Sequence, residues 1–246
     1  MRSPSYVEET RTVRLGDAEV SFRLRRSTRR RSVGLHVDEK GLTVSLPWRF
    51  SEQRLQTVLQ EAAGWVLRNL AAWTRHRPPP LAWRSGDTLP YLGGTLTLEL
   101  ATAGGRPRVA RLHERLLITL PNASDTPRVQ RLALRWLRAE ALDVFAAHAS
   151  RLAPRMGVAP PRVFLSSAVT RWGSCNGAGS IRVNWRLVQA REALIEYVVA
   201  HELAHFHEMN HGPRFWAHVA RVCPDHRARR TELNETGRRL LLMPVS

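Results

Sequence analysis

Cysteine is scarce in this 246-residue chain, with Cys175 and Cys223 its only examples. That excludes the disulfide framework on which many small secreted domains depend, and two thiols suit a reducing cytosol. Residues Met1 to Glu9 lack the apolar stretch of a signal peptide. No run approaches the ~20 consecutive apolar residues that cross a bilayer. A cytoplasmic protein with no membrane partner is therefore expected. Low-complexity linkers and internal repeats are not visible either. Lysine is almost absent, Lys40 standing alone, so the cationic charge is arginine: Lys+Arg number 38 against 21 Asp+Glu, a net +17. Arginine excess can reflect base composition, or it can serve phosphate and carboxylate recognition. The arginines are scattered except in the run Arg25, Arg26, Arg29, Arg30, Arg31.

What is present is ordinary globular material. The apolar fraction is 43%, enough for a full core in a chain of this length. Alternating apolar and polar residues predict strands over Thr12–Leu15, Val20–Leu24, Ser32–Val37 and Leu42–Leu46, with turns at Asp17 and at Glu39-Lys40-Gly41. From Ser51, a plausible N-cap, to about Arg75 the period is helical, and Pro78-Pro79-Pro80 mark the best boundary. Strands return at Thr88–Leu92, Thr95–Leu100 and Leu116–Leu120, and this second set (78–121) is expected to pack back on the first (1–77). A long helix is predicted from Thr126 to His148, closed by Pro154 and Gly157. The remainder of 122–246 holds short strands at Arg162–Leu165 and Ile181–Leu187, then helices over Leu194–His207, from Pro213, and over Arg227–Leu240. The fold class is α+β, with an antiparallel β-rich N-terminal region.

The chemistry is concentrated in Tyr197-Val198-Val199-Ala200-His201-Glu202-Leu203-Ala204-His205, an HExxH motif on a helical background. Residues four apart lie on one face, so His201 and His205 can offer imidazole nitrogens to one ion about 2.0–2.1 Å away. Glu202 projects beside them as a general base. A catalytic zinc usually takes three protein ligands and keeps one position for water. His207 lies about 200° round the helix from His205 and points away. Asn210 and Gly212 can end the helix and return His211 to the metal. A carboxylate of the last helix, Glu232 or Glu235, is the rival third ligand. Cys175 offers a thiolate as an alternative ligand, against its default as a structural thiol. Such a centre performs metal-assisted hydrolysis: Glu202 takes a proton from metal-bound water as it attacks a carbonyl, and later passes it to the leaving nitrogen.

Four segments in order, Thr170-Arg171-Trp172-Gly173-Ser174-Cys175, then Asn184-Trp185, then HELAH, then Asn210-His211-Gly212-Pro213-Arg214-Phe215-Trp216, resemble the YgjP-like metallopeptidase family, relatives of SprT-like and Wss-like zinc proteases. The likeness extends to the opening Arg25-Arg26-Ser27 through Arg31. It implies a zincin-like catalytic domain packed with the β-rich region, Zn2+ as cofactor, His201, His205 and His211 as ligands, and Glu202 as the catalytic residue. Gly212 stands where many relatives carry Ser. A strand edge above the metal helix, with Ile181–Trp185 the candidate, can pair with an extended peptide substrate. Arg171 or Asn184 can then donate to the developing oxyanion.

Three functions follow from these residues. The first is a zinc endopeptidase acting on protein or peptide. The second is a metal-dependent hydrolase of nucleotides, favoured only by the arginine excess. The third is a protease held on DNA through the Arg25–Arg31 run and the basic last helix, for which a solvated basic surface is the plainer account.

Overall fold

The structure, a computed structural model, describes residues 6–38, 41–75, 81–168, 170–177 and 179–241. The proline boundary at 78–80 and the Glu39-Lys40 turn lie outside them. The chain divides into two compact units, Met1–Arg77 and Pro78–Ser246. It is α+β, with three small sheets and six α-helices among the described residues. None of those helices is long and apolar enough to cross a membrane.

In the first unit β1 (Tyr6–Leu15), β2 (Ala18–Ser27), β3 (Gly34–Asp38) and β4 (Gly41–Pro47) form one sheet in the order β1-β2-β4-β3. The sheet is mixed rather than antiparallel, because β2 and β4 run parallel. Alternation puts Leu15, Val20, Phe22, Leu24, Leu42, Val44 and Leu46 on one face, where they are buried. That face shares a core with Leu55 and Leu59 of α1 (Glu52–Glu61) and Val66 of α2 (Ala63–Arg75). Ser51 caps α1, its Oγ accepting from the Arg54 N–H at 3.3 Å. The single helix expected from Ser51 to Arg75 is two, broken at Ala62.

The second unit begins by repeating this plan. β5 (Thr88–Tyr91), β6 (Gly94–Thr102), β7 (Arg108–Leu112) and β8 (Arg115–Leu120) pair in the order β5-β6-β8-β7, again with the inner pair parallel. The register repeats as well. Val13 faces Val20 as Leu89 faces Leu96; Phe22 faces Leu42 as Leu98 faces Leu116; Leu35 faces Val44 as Val109 faces Ile118. Four residues beyond Pro47 and Pro121 stand the two helix caps, Ser51 and Asp125, and the latter accepts from the Arg128 N–H at 3.0 Å. The chain therefore contains a repeated ββββα unit, which the sequence reading missed. Burial requires only matching apolar classes at these positions, so few identities mark the repeat, and the segments after β2 and β6 differ in length.

The helix of the second copy, α3 (Thr126–Met156), is far longer and continues past the expected end at His148. Pro154 is accommodated in its last turn, and Gly157, at φ 73, closes it in the left-handed conformation that costs glycine little. The inward face of the second sheet (Leu89, Leu96, Leu98, Leu116, Ile118, Leu120) shares one core with α3 and with the elements that follow. Those are a three-stranded sheet in the order β10-β11-β9, made of β9 (Arg162–Ser166), β10 (Gly173–Asn176) and β11 (Ser180–Asn184), then a 3-10 turn (Trp185–Gln189), α4 (Glu192–Ala204), α5 (Pro213–Val222) and α6 (His226–Leu241).

Loss of an N-cap leaves an N–H of the first turn without its partner. Asp125→Ala is expected to destabilise the protein by about 1 kcal/mol, measured as a lowered midpoint in chemical denaturation.

Candidate metal centre

α4 lies within the core: Leu194, Ile195, Val198, Val199, Ala200, Leu203 and Ala204 are all buried. This encasement is what makes the helix a rigid bearer for side chains on its remaining face. His201 and His205 occupy that face. The helix ends at Ala204, earlier than the periodicity suggested, because the next turn tightens: the Phe206 N–H bonds to Leu203 O at 3.1 Å and the His207 and Glu208 N–H groups to Ala204 O. The tightened turn brings the Glu208 carbonyl to 3.1 Å from His205 Nδ1. A carbonyl only accepts, so Nδ1 carries the proton and the Nε2 lone pair of His205 is free to ligate.

The chain then turns at Asn210 and Gly212, and α5 starts with Pro213 in its first turn. His211 precedes it, with Nε2 at 3.0 Å from Nε2 of His201. Ring nitrogens of His201, His205 and His211 all lie within 4.8 Å of one another. Burial, then the neighbouring imidazoles, hold His201 far below the usual histidine range, to about 3, and lower His211 in the same direction. Converging imidazole nitrogens are the donor set that a zinc-type ion takes.

Two aromatic residues of α5 hold this arrangement. The fully buried ring of Phe215 lies 4.8 Å from His201, 4.7 Å from His205 and 4.6 Å from His211, centroid to centroid. Trp216 Nε1 donates to the His211 carbonyl at 3.1 Å, and its ring is stacked on His226 with the Arg230 guanidinium over it. Nδ1 of His201 is buried without a hydrogen-bond partner among the described residues, so packing orients that ring. In the sequence Phe215 and Trp216 stand only within the Asn210–Trp216 segment, and the spacing of His211 and Phe215, four apart, is the signal for their contact.

Glu202 is 4% exposed. Burial raises its carboxyl to about 8, opposed by the positive charge of Arg171. Strand β10 passes directly over it. A Cβ at Gly173 would stand 2.3 Å from Glu202 Oε1 and 2.6 Å from Cδ, which no side chain tolerates. Glycine at 173 is therefore a condition for the carboxylate to occupy this place, and it explains the glycine of the Arg171–Cys175 motif. Cys175 is on the same strand but outside the three-histidine cluster; burial, then the Glu202 charge, push its thiol up.

The remaining sequence candidates are distributed differently. Arg171 is exposed and within electrostatic reach of Glu202. Asn184 is 0% exposed; its amide donates to Ala168 O at 2.6 Å and its carbonyl accepts from the Arg186 N–H at 3.1 Å. These bonds tie the Ala168 loop to the 3-10 turn. The expected edge strand is corrected: β11 is central, and β10 and β9 are the two edges. Glu232 pairs with Arg191, and neither it nor Glu235 joins the histidines. His207 points away, bonded to Met156 O at 2.9 Å and stacked on His218. In the basic run, Arg25 pairs with Glu8, Arg26 bonds Phe50 O and Glu52, and Arg30 bonds Ser32 O.

A family model described as "YgjP-like, metallopeptidase domain" matches residues 31–236. Among solved structures, the metallopeptidase zymogen of Pyrococcus abyssi abylysin matches at 23% identity, over 39% of this chain and 92% of that one, with a TM-score of 0.32. No curated protein matches.

A buried acid whose folded-state pKa is raised binds its proton more tightly folded than unfolded. Its contribution to stability is present below about pH 4.5 and is lost as pH rises to about 8. Metal-free protein is therefore expected to weaken over this window. Glu202→Gln should remove that trend and stabilise the metal-free protein at pH 7 by about 2–3 kcal/mol, read by denaturant titration across pH.

Proposed function

Because the chain belongs to the YgjP-like metallopeptidase family, we propose that this metallopeptidase is a zinc enzyme in which His201, His205 and His211 hold the ion and Glu202 is the catalytic base. The observation that carries the reading is the convergence of three imidazoles beside the buried carboxyl of Glu202 on α4. Zinc, when bound there, supplies Lewis acidity toward a carbonyl and lowers the pKa of water. Beside such a cation Glu202 would ionise more readily than its burial alone allows, leaving a carboxylate able to accept a proton.

Each protein group then has a task. Glu202, held under Gly173, takes the proton of the attacking water at a carboxylate oxygen and delivers it to the leaving nitrogen. Arg171, cationic and exposed beside it, is our candidate for countering negative charge on the substrate. The substrate itself is best read as an extended peptide along β10. Trp172 O accepts from the Asn184 N–H at 2.7 Å, so Trp172–Asn184 is a hydrogen-bonded pair of the antiparallel ladder. The pairs alternate, which makes Ser174–Arg182 the next bonded pair and turns the backbone groups of Gly173 and Cys175 outward. Those groups can pair with a substrate backbone in the manner of an added strand.

Three imidazoles suit carbonyl attack, whereas phosphoanhydride hydrolysis relies on carboxylate-held magnesium. A nucleotide phosphohydrolase is therefore the weaker reading. A DNA-held protease is weaker as well, since Arg25, Arg26 and Arg30 are engaged within the fold. We place the enzyme in the cytosol on its two free cysteines.

Elemental analysis and hydrolysis of an unfolded protein test the proposal together. Wild-type protein should carry one zinc per chain, and His211→Ala should lose it. Glu202→Gln should keep the zinc while activity falls by about 10²–10⁴-fold; undiminished hydrolysis in Glu202→Gln would defeat the mechanism. Trp216→Phe leaves an aromatic ring, smaller than the indole, and removes the N–H to His211; it should weaken zinc affinity by about 10–100-fold, measured by competition with a chelator.

A further inference from the structure

At the opposite end of α3 from the metal centre is a cleft of about 320 Å³ lined by Arg106, Pro107, Arg128, Arg131, Leu132 and Arg135. Three of its arginines lie on the first turns of α3, spaced by three and four residues and so on one side of the helix. Arg106 faces them from the segment between β6 and β7. No acidic residue lines the cleft, and among the described residues none of the four guanidinium groups is in an ion pair. Like charges at this spacing work against a helix, so the cluster is unfavourable unless an anion neutralises it.

The repeat supplies an internal control. Matched through the register of the two sheets and the two helix caps, Arg106, Arg128, Arg131 and Arg135 correspond to Ser32, Arg54, Thr57 and Glu61. The same ββββα plan is thus built without this cluster, with an acid at one of the four places. Neither the fold nor a general abundance of arginine requires it.

We propose that the cleft is a binding site for a phosphate chain, of the tripolyphosphate class. Guanidinium forks bind phosphate oxygens in pairs, and four cations match the three to four negative charges of a triphosphate better than those of a lone carboxylate. The arginines on α3 extend over seven residues, roughly 10 Å of helix, which suits a chain of phosphates rather than a single one. The site is remote from hydrolysis. Met156, at the far end of α3, accepts from His207 beside the metal ligands, and Arg135 lies 21 residues earlier, roughly 30 Å along the helix. It is a second ligand site and not part of the catalytic one.

Calorimetric titration of the zinc-loaded full chain with sodium tripolyphosphate tests this. One site per chain is expected, and Arg131→Gln/Arg135→Gln should weaken it at least tenfold with no loss of melting temperature. Arg14→Gln/Arg68→Gln removes the same charge from exposed positions of the first unit and should leave affinity unchanged. His211→Ala should also bind normally, which separates this site from chelation at the metal and from the fate of the zinc assignment. ATP binding more tightly than tripolyphosphate would identify a nucleotide as the source of the chain, and equal binding an inorganic one. Equal weakening by both arginine pairs, or loss of binding in His211→Ala, would overturn the proposal. So would displacement of tripolyphosphate by a single-stranded oligonucleotide that binds more tightly, which would make the cleft part of a nucleic-acid track.

Discussion

Three imidazole rings that share one small volume repel one another when charged, so something other than the rings themselves must keep them together. Here that role falls to apolar burial. α4 buries Leu194, Ile195, Val198, Val199, Leu203 and Ala204 in the core, and the ring of Phe215 lies against all three histidines at once. Burial that disfavours the imidazolium form also aims the lone pairs at a common point. The same encasement makes Glu202 a costly residue, an acid in a nearly dry position whose carboxyl is displaced far upward. A metal-binding fold of this kind is thus built with an unfavourable electrostatic element that a divalent cation would relieve.

Close approach is the second constraint, and it descends from the first. A carboxylate held that deep needs room beneath the strand above it, and Gly173 supplies the room by having no Cβ. Gly237 plays a comparable part on α6, where a Cβ would meet the Trp172 ring at 2.9 Å. The neighbours Trp172 and Gly173 are thus both seated by glycine, one by its own lack of a side chain and one by that of a distant helix. The edge β10 is in this way located by contacts with α4 and α6, and its outward backbone groups are located with it.

The repeated ββββα unit shows how one plan serves two ends. In the first copy the sheet and its helices close a core of their own. In the second, the helix is lengthened into α3, and the extra turns carry Ala149, Leu152, Ala153 and Met156 into a core shared with α4 and the β10-β11-β9 sheet. The part of the chain that bears the three histidines is joined to the second copy through that helix. Capping, strand register and the parallel inner pair are retained while the residues around them diverge, because geometry constrains those features and chemistry does not.

Much of this was legible from the chain alone. HExxH spacing puts His201 and His205 on one helical face in any context, and Asn210 and Gly212 near the helix end made a return of His211 reasonable. Periodicity located most strands and helices, since the pattern of burial along an element is written in its own residues. The repeat was not legible: it resides in which strand pairs with which, and at what register, and local periodicity carries neither. Nor could local reading tell that β11 is central, that Asn184 is fully engaged in hydrogen bonds, or that Phe215 touches three histidines. Those facts belong to residues far apart in the chain, and only packing decides them. Residue types and local spacing determined what chemistry was available; the tertiary structure decided which groups stand close enough, and dry enough, to perform it.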